Sequence, residues 1–190
     1  MLSNHFKKLE IRNLFMFLHT CCAPCSLPFI EKTKDLTLYF FNPNIYPEKE
    51  YFKRLKEVKK IASIYNLELF EGEYNHGKWL DFVRQNLTKP PGNYPENDER
   101  CLECFKFRLA ETASFAKEHH FNEFATSLSL SLFKDTGFIN NFAEILAKKY
   151  SLKYRELSLK PQDAFRKGLE LSKKYHLYRQ KYCGCEFSQN

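Results

Sequence analysis

Seven cysteines fall into three tight groups: Cys21, Cys22 and Cys25; Cys101 and Cys104; and Cys183 and Cys185. Thiolates are soft ligands, nucleophiles and electron carriers, so thiols gathered in this way point to metal binding or redox chemistry rather than to core packing. Cys101 and Cys104 form a C-x-x-C pair at the start of an expected helix, and the first group lies just ahead of another. The positive end of a helix dipole favours thiolate over thiol, so both groups are expected to be acidified. Four thiolates suit either a structural zinc or an iron–sulfur cluster. The adjacent pair Cys21 and Cys22 favours the cluster, because neighbouring side chains diverge and chelate one small ion poorly. Cys183-Gly184-Cys185 is too tight for two relaxed ligands on one ion. It suits a strained, easily reduced disulfide, or a tail that supplies one further ligand.

These thiols need elements to carry them. The apolar run Leu14 to Leu18 reads as a buried strand, about Asn13 to His19, passing into the loop of the first cysteines. Ser26 is placed to cap a helix from Leu27 to about Lys34. Leu36 to Phe41 is a second strand, ended by Asn42-Pro43-Asn44. From Pro47 a long helix follows, with Phe52, Leu55, Val58, Ala62 and Tyr65 at inward spacing. A strand over Leu67 to Gly72 precedes a helix at Lys78 to Gln85, and a loop runs from Lys89 to Asp98. The helix from Cys101 to about His119 leads to a strand at Phe121 to Ser127 and the hydroxyl-rich loop Thr126 to Ser131. A helix over Thr136 to Lys149, a short strand at Tyr154 to Leu157 and a helix from Pro161 through Tyr175 complete the pattern. Met1 to Arg12 reads as a short lead-in.

Strands alternating with helices predict an α/β fold: a three-layer Rossmann-like domain with a five-stranded, mostly parallel sheet. The expected organisation is one domain over residues 1–190, with a loop insertion around 86–100 and a C-x-C tail over 178–190. In such a sheet the carboxyl ends of the strands collect ligands, which is where the first cysteines fall. Neither GxGxxG after the first strand nor GxxxxGK[ST] occurs, so a usual dinucleotide fold and a Walker-type NTPase are not supported.

A hydrophobic fraction of 43% and nineteen Phe are ample for a core. The net charge of +7 suits a polyanionic partner such as nucleic acid, though a basic soluble protein explains it as well. No apolar run approaches the ~18–20 residues that span a bilayer, and no signal peptide is evident, so no membrane partner and a cytoplasmic location are expected. In that reducing setting the cysteines do not read as a structural disulfide framework.

Five segments together resemble one family. His19-Thr20-Cys21-Cys22-Ala23-Pro24-Cys25-Ser26, Phe41 to Tyr51, Glu99 to Leu109, Thr126 to Ser129 and Tyr182 to Cys185 occur in the order seen in the QueH-type epoxyqueuosine reductases. The likeness runs from about Leu14 to Ser188. It implies an oxidoreductase for the last step of queuosine biosynthesis, a tRNA-processing reaction that reduces epoxyqueuosine at the wobble position to queuosine. The implied substrate is tRNA with a GUN anticodon, and the electron donor is unidentified. The resemblance further implies a 4Fe–4S cluster on Cys21, Cys22, Cys101 and Cys104, with no cobalamin. An adjacent mononuclear iron is implied as well, for which Cys25 is the residue here that could serve, or it could remain a free thiol. Cys183 and Cys185 would be the redox-active disulfide. The fold class it implies is that of the HUP and PP-loop ATPases, but the SGGxDS loop of the tRNA-thiolating members is replaced by cysteines. The competing readings are an iron–sulfur tRNA sulfur-transferase and a zinc-stapled RNA-binding module.

Candidate proton donors and orienting groups are His19, Asp98, Tyr46 and Asp135, with a structural role for His19 equally open. Arg100 could pair a tRNA phosphate or the charge of a cluster. Lys49, Lys53, Arg54, Lys56, Lys59 and Lys60 form a basic face on the long helix, able to meet an RNA backbone or simply to face solvent.

Overall fold

The computed structural model describes residues 15–188. The expected lead-in over Met1 to Arg12 and the start of the first strand at Asn13 and Leu14 lie outside the described residues. Strand β1 (Met16–His19) is followed by helix α1 (Ala23–Ile30), β2 (Leu36–Phe40), α2 (Glu48–Ile64), β3 (Glu68–Glu71) and α3 (His76–Gln85). A short 3-10 turn at Pro91–Asn93 precedes α4 (Glu99–Glu118). Then come β4 (Glu123–Thr126), a 3-10 turn at Ser127–Leu130, α5 (Thr136–Tyr150), β5 (Lys153–Tyr154), α6 (Pro161–Lys174) and a last 3-10 turn at Glu186–Ser188.

The five strands pair in the order β3-β2-β1-β4-β5, all parallel. Every residue of β1 and β2 is buried, as a strand covered on both faces requires. Their side chains divide by the period of two. Met16, Leu18, Leu36, Leu38 and Phe40 face a core shared with α1, α2 and α6. Phe17, Tyr39 and Phe41 face the other core, built with α4 and α5 around Phe105, Leu109, Phe121, Phe124 and Ile139. The result is the three-layer Rossmann-like arrangement expected from the alternation. Many of the aromatic residues are packing: Phe17 lies 4.6 Å from Phe121 and 5.1 Å from Tyr39 between ring centroids.

The order places β2 and β4 on either side of β1, so the chain leaves the sheet in opposite directions from the strand that carries the first cysteines. That is the crevice where open α/β sheets bind ligands. Helix α1 begins at Ala23, four residues earlier than its expected start. Its cap position is the extended backbone of Cys22, and Pro24 suits the first turn. Ser26 is therefore inside the helix, its hydroxyl donating to the Cys22 carbonyl at 2.9 Å. The helix also stops at Ile30, short of Lys34. Phe52 is not inward but exposed, and β5 is two residues at an edge, Lys153–Tyr154, rather than Tyr154 to Leu157.

Helix α6 crosses α1 at Gly168. A Cβ there would sit 2.6 Å from the Pro24 carbonyl oxygen, a backbone atom that no rotamer change can move. Gly168→Ala is expected to destabilise the fold by about 1–3 kcal/mol, as overpacking does. Urea unfolding monitored by circular dichroism checks this, and an unchanged midpoint would show that the helix pair yields without cost.

Candidate active site

The loop after β1 turns directly into α1, and this turn gathers three thiols. The Sγ atoms of Cys21, Cys22 and Cys25 lie within 4.8 Å of one another, with Cys21 and Cys22 4.0 Å apart. This group could hold a metal ion. Ser127, at the matching exit from β4, clasps Cys21 at two atoms. Its Oγ accepts from the Cys21 N–H at 2.9 Å, and its hydroxyl donates to the Cys21 Sγ at 3.2 Å. From the C-terminal segment, the Gln180 amide donates to the Cys22 Sγ at 3.0 Å.

The electrostatics of the trio are unequal. Hydrogen bonding with Cys22 and Cys25 holds the Cys21 thiol well below its ordinary range, against burial and with help from Lys134 and Arg108. Cys22 is pushed up to about 12, first by its hydrogen bond with Cys21, and Cys25 is also raised by its bonds to Cys21 and Cys22. The group thus favours one thiolate stabilised by two thiols. Burial raises Cys101, and it pushes Cys104 up to about 12 despite the nearby Arg108. Acidification at both helix starts was the expectation. Among these five thiols it is met at Cys21 alone, because desolvation outweighs the helix dipole at Cys101 and Cys104.

Cys101 and Cys104 do not join the group of three within 4.8 Å. They lie in the first turns of α4, whose cap is Asp98: its Oδ1 accepts from the Glu99 N–H at 2.8 Å, and its carbonyl accepts from the Cys101 N–H at 2.7 Å. Asn97, in the left-handed region at φ 67°, turns its N–H onto the Cys101 Sγ at 3.3 Å. Cys104 packs with Trp79, Val83 and Cys185 in a separate small core, while Cys101 belongs to the core under α4 and α5. Cys183 is half-buried and lines the same cavity as the first trio.

That cavity has a volume of about 320 Å³ and is walled by Cys21, Cys22, Cys25, Asn42, Lys134 and Cys183 among others. Lys134 is set against the thiols: burial works against its ammonium, but Cys183, Cys21 and Cys25 outweigh that and raise its pKa. Arg108 reaches the same wall from α4 and donates to the Asn42 Oδ1, while the Asn42 amide donates to the Thr20 carbonyl at 3.0 Å. Neither Lys134, Arg108 nor Gln180 stands out in the sequence, since each reaches the thiols across the fold rather than along the chain.

His19 is fully buried with both ring nitrogens engaged. Nε2 donates to the Phe41 carbonyl at 3.0 Å, which leaves Nδ1 to accept from the Thr126 hydroxyl at 2.8 Å. Thr126 Oγ1 in turn accepts from the Leu128 N–H at 3.2 Å. Burial first, and Arg108 second, lower the His19 pKa to about 3, so the ring is neutral and ties the ends of β1, β2 and β4 together. Asp135 caps α5 through the Phe138 N–H at 2.8 Å, and the Tyr46 carbonyl accepts from the Tyr182 hydroxyl at 2.7 Å. Arg100 is buried, donating to the carbonyls of Pro91 and Tyr94 at 3.0 and 2.6 Å, and so fixes the loop ahead of α4.

On the basic face of α2, Lys53, Arg54 and Lys60 meet the C-terminal segment, while Lys59 pairs with Glu71 and Lys49 and Lys56 are exposed. Arg54 is buried and donates to Glu50 at 2.8 Å, to the Cys183 carbonyl at 2.8 Å and to the Tyr182 carbonyl at 3.2 Å. Lys53 lies 3.5 Å from the centre of the Tyr178 ring, and Lys60 donates to the Tyr175 carbonyl at 2.6 Å. Between the tail cysteines, Gly184 sits at φ 145°, and a Cβ there would lie 3.1–3.2 Å from Ile45, Arg54 and Asn44. Only glycine suits that backbone.

His76 and Glu186 add a pH-sensitive tie to the tail. Their side chains meet at 3.3 Å, and the other His76 nitrogen lies 2.9 Å from the Pro43 carbonyl. The hydrogen bond to Glu186 raises the His76 pKa; Glu186 is lowered, burial notwithstanding, by the same bond. A raised His pKa gives stability that is full below about 6.5 and lost as pH rises through the folded value. A lowered Glu pKa gives stability that is lost as pH falls through its own folded value. Stability from this pair should therefore fall as pH rises above about 6.5, and His76→Gln should remove that part of the pH profile. Thermal midpoints of both proteins between pH 5 and 9 test this; parallel profiles would count against it.

The family described as Epoxyqueuosine reductase QueH matches residues 16–190. The chain belongs to the QueH family. Among relatives, one from Thermotoga maritima named epoxyqueuosine reductase QueH is 36% identical over 176 residues, covering 91% of this chain and 89% of that protein. Proteins of the same name from Staphylococcus epidermidis and Streptococcus pyogenes are each 33% identical, over 183 and 182 residues, covering 91% of this chain and 75% and 69% of theirs. The QueH match spans β1 through the C-x-C tail and so includes all seven cysteines. Among the described residues no helix is long and apolar enough to cross a membrane.

Proposed function

We propose that this QueH-family chain reduces epoxyqueuosine in tRNA to queuosine, using an iron–sulfur group held by thiolates and no cobalamin. The observation that carries the reading is the cavity itself: three thiols from the β1–α1 turn and the first tail cysteine share its wall with cations that include Lys134 and Arg108. A donor set of sulfur alone suits an iron–sulfur group, and Lys134 and Arg108 offset the negative charge that such a group brings. In this reading Cys101 and Cys104, which lie off the cavity wall but within electrostatic reach of Cys183, would join Cys21 and Cys22 in holding a 4Fe–4S cluster, and Cys25 is available to an adjacent iron. When bound, such a centre would supply electrons one at a time and Lewis acidity toward the epoxide oxygen.

The residues of the chain do the rest. Turning an epoxide into an alkene and water takes two electrons and two protons. Oxidation of the two thiols of Cys183 and Cys185 to a disulfide releases that number, and an external electron donor then restores the dithiol. Cys183 stands on the cavity wall for this purpose, while Cys185 is shielded by Trp79 and Val83. Lys134 and Arg108 face the oxygen side with positive charge, which stabilises negative charge as the C–O bonds break. His19 positions the strand ends that carry Cys21, Asn42 and Ser127, and Asp98 caps the helix that carries Cys101 and Cys104.

Expression of the chain in a bacterium lacking its own epoxyqueuosine reductase tests the reading. Nucleosides from total tRNA should then contain queuosine in place of epoxyqueuosine. Persistence of epoxyqueuosine with the protein soluble and iron-loaded would count against it. Appearance of a thiolated nucleoside instead would favour a sulfur-transferase.

A further inference from the structure

Phe133 and Phe165 stand at the mouth of the thiol cavity with 61% and 40% of their surface exposed. They come from separate elements, the segment between β4 and α5 and the first turns of α6. Their rings nevertheless meet edge to face, with centroids 5.9 Å apart and planes at 83°. Neither ring belongs to the buried cores on the two faces of the sheet, so packing of the fold does not account for the pair.

The charge of the cavity wall beside the pair is mostly positive, although Asp135 and Asp163 are exposed close to the two rings in the chain. The charged side chains of the cavity wall are Arg54, Arg108, Lys134, Arg179 and Lys181 against Glu96 alone, and Arg179 and Lys181 are exposed. An apolar ring platform beside surplus cations is the combination that binds single-stranded nucleic acid: rings take the face of a base and cations take the phosphates. A second copy of this chain would bring the same positive surface and be repelled. An enzyme that draws one nucleoside of a loop into a cavity also unstacks it from its neighbour, whose open face then needs cover.

We propose that Phe133 and Phe165 form a stacking platform for the nucleobase next to the modified one, with Arg179 and Lys181 on the adjoining phosphates. This rests on the tRNA-reductase reading above and adds to it the residues that grip the loop. Both rings are exposed, so truncating them leaves the buried cores intact.

The test uses the full chain, loaded with iron and sulfide, on tRNA carrying epoxyqueuosine. Phe133→Ala and Phe165→Ala should each raise KM by about tenfold, the size of a lost base–aromatic stack, with kcat and visible absorption near wild type. Phe133→Trp should keep the wild-type KM. With an anticodon stem-loop RNA holding 2-aminopurine beside the wobble position, the fluorescence change on binding should be lost in the double alanine variant. An unchanged KM in both alanine variants, or an undiminished fluorescence change, would overturn the platform while leaving the reductase reading standing. Loss of a dimer in sedimentation with unchanged KM would assign the pair to self-association and overturn it too. Failure of the wild-type chain to convert the tRNA would instead overturn the reductase reading, and the platform with it.

Discussion

Cys21→Ser is expected to abolish the visible absorption of the iron- and sulfide-loaded protein and to lower conversion of epoxyqueuosine-tRNA by more than about a hundredfold. Loss of a partner that only orients a metal ligand costs 10–100-fold, and loss of the ligand should cost more. Cys21 is the centre of the site in three respects. It is the thiol held low by its neighbours, its N–H donates to the Ser127 Oγ and its Sγ accepts from the Ser127 hydroxyl, and it faces Lys134 and Arg108. Serine is only slightly smaller than cysteine and keeps an acceptor for the Ser127 hydroxyl, so the fold should survive, and far-UV circular dichroism provides that control. Retention of both absorption and conversion in Cys21→Ser would move the centre away from the β1–α1 turn. If absorption is retained and conversion lost, Cys21 would serve the substrate rather than the metal.

Arg54→Ala is the second substitution with a large expected effect. Its guanidinium joins the Glu50 carboxylate, itself hydrogen-bonded by the Tyr178 hydroxyl at 3.1 Å, to the carbonyls of Tyr182 and Cys183. Removing one partner of a buried ion pair leaves the other charged and desolvated, which costs about 3–5 kcal/mol. For a chain of this length that lowers the thermal midpoint by roughly 10 °C. The tail loses its seat as well, so turnover supported by a chemical reductant should fall further than stability alone explains. Arg54→Lys restores the charge but not the planar fork of donors and should recover only part of the loss. Calorimetry of the two variants together with turnover at 20 °C checks both effects. A thermal midpoint within 2 °C of wild type in Arg54→Ala would show that the tail is held by other contacts.

What could be read from the sequence was mostly local. The alternation of apolar runs and helical periods gave the layers and the parallel sheet, because strands buried on both faces have little freedom in composition. The thiols also announced themselves by spacing. Errors arose where a local rule met a competing one. Ser26 was the expected helix cap, but Pro24 and the extended Cys22 backbone start the helix earlier and leave Ser26 buried within it. Cys101 and Cys104 do stand at a helix start, yet burial raises both thiols, and burial is a property of the folded core. Arg54 looked like one lysine-rich helix face among many, and only the fold shows that the tail folds back over it. Lys134, Arg108 and Gln180 were not legible at all, since nothing nearby in the chain says that they will face sulfur.

The central claim is that a thiol-lined cavity at the end of β1 performs an epoxide reduction on RNA. The measurement that tests it most directly is incubation of the anaerobically purified chain with epoxyqueuosine-tRNA and dithionite, without ATP, followed by mass spectrometry of the nucleosides. The account predicts that queuosine appears, that iron and sulfide are both present in the protein, and that Cys21→Ser fails under the same conditions. Zinc in place of iron and sulfide, with epoxyqueuosine returned unchanged, would contradict it.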